Sequence, residues 1–324
     1  MIRKLAAIAM GITATIASAQ TAPPVPAPAP VAPKPFGIVG AASGTGPMPA
    51  VAEYVAAMPQ HTFYHPAKLP ARPMPIVLWG NGACIDNGLS AAPFLREVAS
   101  HGYFIVVAGP PREEPVLVPP VRMTEPPPVD ANRAAQLAKR GPDATSPAQI
   151  LAGLDWLEKQ NADPQSPWFH HVDPARVAVM GHSCGGLQAI RISADPRIKA
   201  TALFNSGVFN NSLDGLSALS VSKKELGKLH APIAYIIGGP GDIAWPQAID
   251  DVARIVHVPL FFAHAPTGHG GTFRTAPNGG FYGVIARHWL DYQLKGDAAA
   301  GRFFRGPNCG LCKVPDWSVP RPLW

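Results

Sequence analysis

The sequence is short of charge and of long apolar runs. Charged residues make up 15% of its 324 residues and hydrophobic ones 47%, which excludes a chain too polar to build a core. The length allows one large domain or two smaller ones. Beyond the first twenty residues no stretch reaches 18 uninterrupted apolar residues, so the body offers no membrane-spanning helix. No Lys/Arg cluster is long enough to follow a phosphate backbone, so the net charge of +6 does not point to nucleic acid. Cysteines number only four. Cys309 and Cys312 form a close pair, but further ligands at metal-binding spacing are missing. Their Pro/Gly-rich surroundings also lack the strand-to-helix junction of a redox pair. No internal repeat is present.

What the chain has in excess is proline, 39 residues, many near the N-terminus and between 109 and 147. Residues 1–19 read as a signal peptide: Arg3 and Lys4 are basic, Leu5 to Ile16 is apolar, and Ala17-Ser18-Ala19 is the small-x-small pattern that signal peptidase accepts. Removal of this segment leaves a net charge of about +4 and places the protein in the periplasm or outside the cell. Residues 20–36 read as an Ala/Pro-rich spacer, and 37–324 as a single domain. In an exported chain the cysteines can pair. Cys309 and Cys312 are expected to form a small structural disulfide in the C-terminal tail.

The body alternates short apolar runs with helical patterns, which predicts an α/β fold: a mostly parallel sheet with helices on both faces. Strands are expected at 76–79, 104–108, 177–180, 200–204, 233–237 and 258–263. Helices are expected at 91–101, 147–160, 185–193, 246–256 and 281–294. The stretch between the 200–204 and 233–237 runs is too short for a separate cap domain. One connection, 109–146, breaks the rhythm with nine prolines. It leaves the sheet edge where such folds place their sites, and two readings stand: a border of the pocket, or a passive loop.

Gly181-His182-Ser183-Cys184-Gly185-Gly186 lies between a predicted strand and a predicted helix, the context of a nucleophile elbow. Such a turn forces strained angles on Ser183, requires glycines two positions to either side, and raises the hydroxyl above the sheet. His182, on the far side of the turn, reads as packing. A serine nucleophile needs a base, and the base an orienting acid; behind an elbow of this kind the two follow the serine in the order acid then histidine. Among 11 histidines, His269 in Thr267-Gly268-His269-Gly270-Gly271 lies just past a strand with glycines on both sides. His264, at the strand end, is the runner-up, while His230, His257 and His288 read as structural. Asp242 lies just past the 233–237 strand, where it can orient the base, cap the next helix, or do both. Asp214 is the alternative acid, and Asp250 and Asp251 read as solvated. Trp245 is either a pocket wall or core.

An acyl-transfer oxyanion needs backbone donors. The N–H of Cys184 and that of Asn81, in Trp79-Gly80-Asn81-Gly82, are the candidates. If their loops meet, Cys84 and Cys184 lie close enough to bond; the alternatives are a disulfide bracing the oxyanion site or two buried thiols.

These segments, with Gly238-Gly239-Pro240-Gly241-Asp242, Gly268-His269-Gly270 and the Cys-Gly-Leu-Cys tail, resemble the α/β-hydrolases of the secreted esterase, lipase and cutinase-like branch, near platelet-activating-factor-acetylhydrolase-like and dienelactone-hydrolase-like proteins. The resemblance spans roughly residues 60 to 315. It implies a Ser-Asp-His triad hydrolysing carboxyl esters, small or polymeric, without a cofactor or metal. Dienelactone hydrolases use a cysteine nucleophile; Ser183 departs from that, so their substrate is not carried over. Acyl transfer on the same triad is one alternative, and a non-catalytic envelope or binding protein that keeps the fold is another.

Overall fold

The computed structural model describes residues 36–120, 122, 145–210 and 221–323. The signal-peptide reading, most of the spacer, the middle of the 109–146 connection and Asp214 lie outside those residues. Phe36, assigned to the spacer, instead opens the first strand.

Ten strands form one sheet: β1 (Phe36–Ser43), β2 (Ala50–Val55), β3 (His61–Pro66), β4 (Met74–Gly80), β5 (Phe104–Ala108), β6 (Val172–His182), β7 (Ile198–Phe204), β8 (Ile233–Ile237), β9 (Leu260–His264) and β10 (Ser318–Arg321). Their order is β1-β2-β3-β5-β4-β6-β7-β8-β9-β10. The six central strands, β4 to β9, run parallel, as their near-continuous apolar sequences require when both faces are covered. The flanks, β1 to β3 and β10, pair antiparallel and are additions to the expected sheet.

Side chains alternate across the sheet, so each central strand feeds two cores. Val77, Trp79, Ile105 and Val107 face one way, with Phe94, Leu95 and Val98 of α1 (Ala92–Ser100) and Ile285, Trp289 and Leu290 of a helix over Gly280–Lys295. Ile76, Leu78, Phe104 and Val106 face the other. There they meet α2 (Pro147–Ala162), α3 (Cys184–Ile192) and α4 (Trp245–Arg254) through Leu154, Ile190 and Ala248. In chain order the Gly280–Lys295 helix is α5, and a single turn, α6 (Ala298–Gly301), follows it. The expected helix register holds to within one or two residues at these ends.

One expectation fails inside α4. Asp251 is not solvated but fully buried. Its carboxylate accepts from Val208 N–H (2.7 Å), Tyr235 O–H (3.1 Å) and the Lys223 ammonium. A buried carboxylate needs such partners, and these tie α4 to β8 and to the chain after β7. Asp250 beside it is ion-paired with Arg254 and Lys223.

The order reverses at β4: β5 lies on one side of it and β6 on the other. In open α/β sheets the crevice beyond the carboxyl ends of strands at such a reversal is the usual ligand position. Register pairs Gly80 with Gly181, His182 with Phe204, and Ile237 with His264, so the ends of β4, β6, β7, β8 and β9 share one edge. Asn81, Ser183, Asp242 and His269 all follow strands that end at that edge.

Candidate active site

Ser183 sits between β6 and α3 with φ 53° and ψ −120°, a conformation that costs a non-glycine residue of order 1–3 kcal/mol. The surroundings hold it there. Ser183 N–H donates to Phe204 O (3.0 Å), and its carbonyl accepts from Gly186 N–H (2.9 Å) and Ser206 Oγ (2.7 Å). A side chain on Gly185 would strike the backbone of Gly80, and one on Gly181 would strike Gly185 itself. Glycine at these positions is thus a packing requirement between β4, β6 and the first turn of α3.

His269 stands on the loop after β9. Its Nε2 lies 2.8 Å from Ser183 Oγ and its Nδ1 lies 2.6 Å from Asp242 Oδ1. A carboxylate can only accept, so the proton sits on Nδ1, leaving the Nε2 lone pair to receive the Ser183 O–H. Asp242 is fully buried on the loop after β8. It also accepts from Gly238 N–H (3.1 Å) and Ala244 N–H (2.9 Å), so it shapes the turn into α4 while orienting the histidine. The cap position itself is taken by Ala244.

The other histidines are accounted for elsewhere. His264 rests edge-on against Trp245, with ring centroids 4.7 Å apart, and burial lowers its pKa. Trp245 accordingly packs on β9. His230 and His257 contact the carbonyls of Ile198 and Leu229, and His288 stacks on Phe303.

Asn81 is buried just past β4, but its side chain is a structural hub. Oδ1 accepts from Trp79 Nε1 (3.0 Å) and Ser90 Oγ (2.9 Å), while Nδ2 donates to the carbonyls of Ile85, Asn87 and Ala108. That leaves its backbone as the group facing α3: a Cβ built on Gly185 would lie 2.7 Å from Asn81 N. Cys184 is the first residue of α3, where amides have no partner within the helix. The Cys84–Cys184 disulfide joins these two segments, and Cys309–Cys312 closes the tail.

The described ends of the proline-rich connection touch both sides of this site. Thr145 N–H donates to Cys84 O (2.9 Å), and Gln188 of α3 holds the Thr145 carbonyl. At the other end Arg112 pairs with Asp86 (2.8 Å), and Val118 N–H donates to Arg274 O (2.8 Å), five residues past His269. Among the described residues no group of three His, Cys, Asp or Glu is arranged to hold a metal ion, and no helix is long and apolar enough to cross a membrane.

The role of His182 goes beyond the packing that the sequence predicts. Its ring packs against Phe273, but Nε2 also lies 2.8 Å from the His269 carbonyl. Asn205 is a second such residue, absent from the sequence-based candidates: its Nδ2 donates to Gly268 O (2.6 Å). The signal was Asn205-Ser206-Gly207, a polar run directly behind an apolar strand on the site's edge.

No family model matches the chain. Among curated proteins, Hydrolase ffsE of Aspergillus flavipes is 44% identical to it over 54 residues. That match covers 16% of this chain and 12% of the relative's length.

Proposed function

We propose that the chain is a serine carboxyl-ester hydrolase of the α/β-hydrolase fold, in the esterase, lipase and cutinase-like branch. The observation that carries this reading is the hydrogen-bonded chain from Ser183 Oγ through His269 to the buried Asp242, set at the reversal of strand order. The partial likeness to a protein named a hydrolase is consistent with it.

In this reading the Ser183 oxygen attacks the ester carbonyl carbon and its proton passes to His269 Nε2. The buried Asp242 carboxylate steadies the imidazolium. The oxyanion meets the N–H groups of Cys184 and Asn81, each worth about 3 kcal/mol of barrier. The intermediate collapses, the carbon–oxygen bond to the alcohol breaks, and His269 returns its proton to the departing alkoxide. Water then repeats the sequence on the acyl-enzyme, giving the acid and free Ser183. The positive end of the α3 dipole favours the same negative charge. The two disulfides support a working place in an oxidising compartment, outside the cytoplasm.

The test is hydrolysis of nitrophenyl esters graded by acyl length, with and without added methanol. The expected result is a burst of nitrophenol stoichiometric with enzyme, then steady release of free acid. Methyl ester as the main product at low methanol would make the protein an acyltransferase on the same triad. No turnover of any ester by folded protein would favour the non-catalytic reading.

A further inference from the structure

The loop bearing His269 is rich in glycine, with Gly268, Gly270 and Gly271 around the histidine, and such loops are mobile unless held. A general base, however, must keep its lone pair on the serine hydroxyl to within a fraction of an ångström. We propose that His182 and Asn205 are positioning residues that grip this loop, each donating one hydrogen bond to consecutive backbone carbonyls, and so set His269 on Ser183. The inference rests on the Ser183–His269–Asp242 reading and extends it to two further side chains.

The two residues stand side by side on the sheet. His182 is the last residue of β6 and pairs in register with Phe204, the last of β7; Asn205 follows directly. They therefore reach up from the ends of two adjacent, hydrogen-bonded strands of the sheet. A carbonyl can only accept, so the 2.8 Å contact of His182 Nε2 with His269 O requires the proton on Nε2. The Asn205 amide is likewise fixed: Tyr282 O–H donates to its Oδ1 (2.6 Å), which turns Nδ2 toward Gly268 O at 2.6 Å. Tyr282 O–H also contacts Thr267 Oγ1 (3.0 Å), so three successive residues of the loop are bonded to side chains of the body. Asn205 adopts φ 49°, which asparagine tolerates better than most residues.

The chemistry of His182 suits the task. Burial, and then the neighbouring His269, push its pKa down to about 4, so the ring is neutral at pH 7. That neutrality matters because His269 turns cationic in each half-reaction, and its ring centroid lies only 5.5 Å away. A second charge there would oppose the imidazolium; a neutral donor fixes the loop without doing so. The same ring abuts Gly82, where a side chain would collide with Nδ1, so the oxyanion loop and the base loop share one support.

The experiment compares His182→Leu, His182→Gln, Asn205→Ala and Asn205→Asp with the parent chain in nitrophenyl ester hydrolysis, with thermal midpoints measured in parallel. Leucine and alanine remove the donors, glutamine restores an N–H at a similar reach, and aspartate sets an acceptor against the Gly268 carbonyl. The expected result is a fall in kcat of about 100-fold for His182→Leu and Asn205→Ala, with KM changed less than about threefold. His182→Gln is expected to recover at least about tenfold of that loss, and Asn205→Asp to recover none. A further readout is the low-field proton resonance of the His269–Asp242 hydrogen bond, expected to broaden in His182→Leu and to sharpen again in His182→Gln. Where the leucine variant folds too poorly for kinetics, the test rests on folded Asn205→Ala and His182→Gln, and full kcat together with an unbroadened resonance in Asn205→Ala overturns the clamp. Full kcat in folded His182→Leu and Asn205→Ala, beside an inactive Ser183→Ala, overturns the clamp and leaves the triad standing. An active Ser183→Ala overturns both.

Discussion

Ser183→Ala and His269→Ala are each expected to lower kcat for ester hydrolysis by on the order of 10⁶, and the double variant by no more than either alone. The reason is that the two groups act on one proton. Without the Oγ there is nothing for His269 to deprotonate; without His269 the hydroxyl stays protonated at neutral pH. Asp242→Ala is expected to cost less, about 10⁴, because the histidine and serine remain in contact and only the tautomer and the imidazolium lose support. What is expected to survive in every case is catalysis by the proposed oxyanion donors and by binding, which none of these substitutions touches. Steady-state kinetics on the four variants checks this. Losses that multiply in the double variant would mean that Ser183 and His269 act independently and that their 2.8 Å contact is incidental.

The second large effect is expected from the Cys84–Cys184 disulfide. It closes a loop of 100 residues, for which restriction of the unfolded chain gives about 4.7 kcal/mol, with measured values commonly about 2–4 kcal/mol. It also ties the segment behind Asn81 to the first residue of α3, so the two proposed oxyanion donors are held at a fixed separation. Ala83 and Cys84 both adopt positive φ, a strained stretch that relaxes once untied. Cys84→Ser with Cys184→Ser is therefore expected to lose about 3 kcal/mol of stability and about 10²-fold in kcat. Cys309→Ser with Cys312→Ser is the control. Its loop spans three residues, worth about 1.5 kcal/mol on the same model, and it joins two residues of the tail and none of the site, so kcat is expected to hold. Urea unfolding and nitrophenyl ester kinetics on both double variants measure these differences. Equal kcat in the two would show that the Cys84–Cys184 bridge stabilises the fold without aligning the oxyanion site.

The central strands are legible in the sequence because a strand covered on both faces must be apolar throughout, as in Phe104–Ala108 and Ile233–Ile237. The antiparallel flank is not. β2 and β3 carry Glu53, His61 and His65 among their apolar residues, which breaks the pattern of a buried strand. Only the pairing of the strands brings His65 Nε2 to within 2.6 Å of Glu53 and makes those two tolerable inside, while His61 finds its partner in the Gln149 carbonyl of α2. β10 carries a proline, which suits an edge strand but weakens its signal. Asp251 misleads for the same reason as Glu53: its partner Lys223 lies 28 residues away and no local pattern announces it.

The hydrogen-bonded group of Ser183, His269 and Asp242 stands out in the sequence because each residue follows an apolar strand by no more than five positions. The bond between Cys84 and Cys184 stays open at that stage, since it depends on how closely β4 approaches α3. His182 and Asn205 stay hidden because they act on backbone carbonyls more than 60 residues distant, and a carbonyl leaves no trace in the sequence of its own residue.

The most direct test of the central claim is to treat the folded protein with a fluorophosphonate ester and locate the adduct by peptide mass spectrometry. A phosphonyl group on Ser183, formed in step with loss of esterase activity and absent from His269→Ala on the same timescale, is the predicted result. A folded protein that hydrolyses esters while Ser183 stays unmodified, or that carries the adduct on another residue, would contradict it.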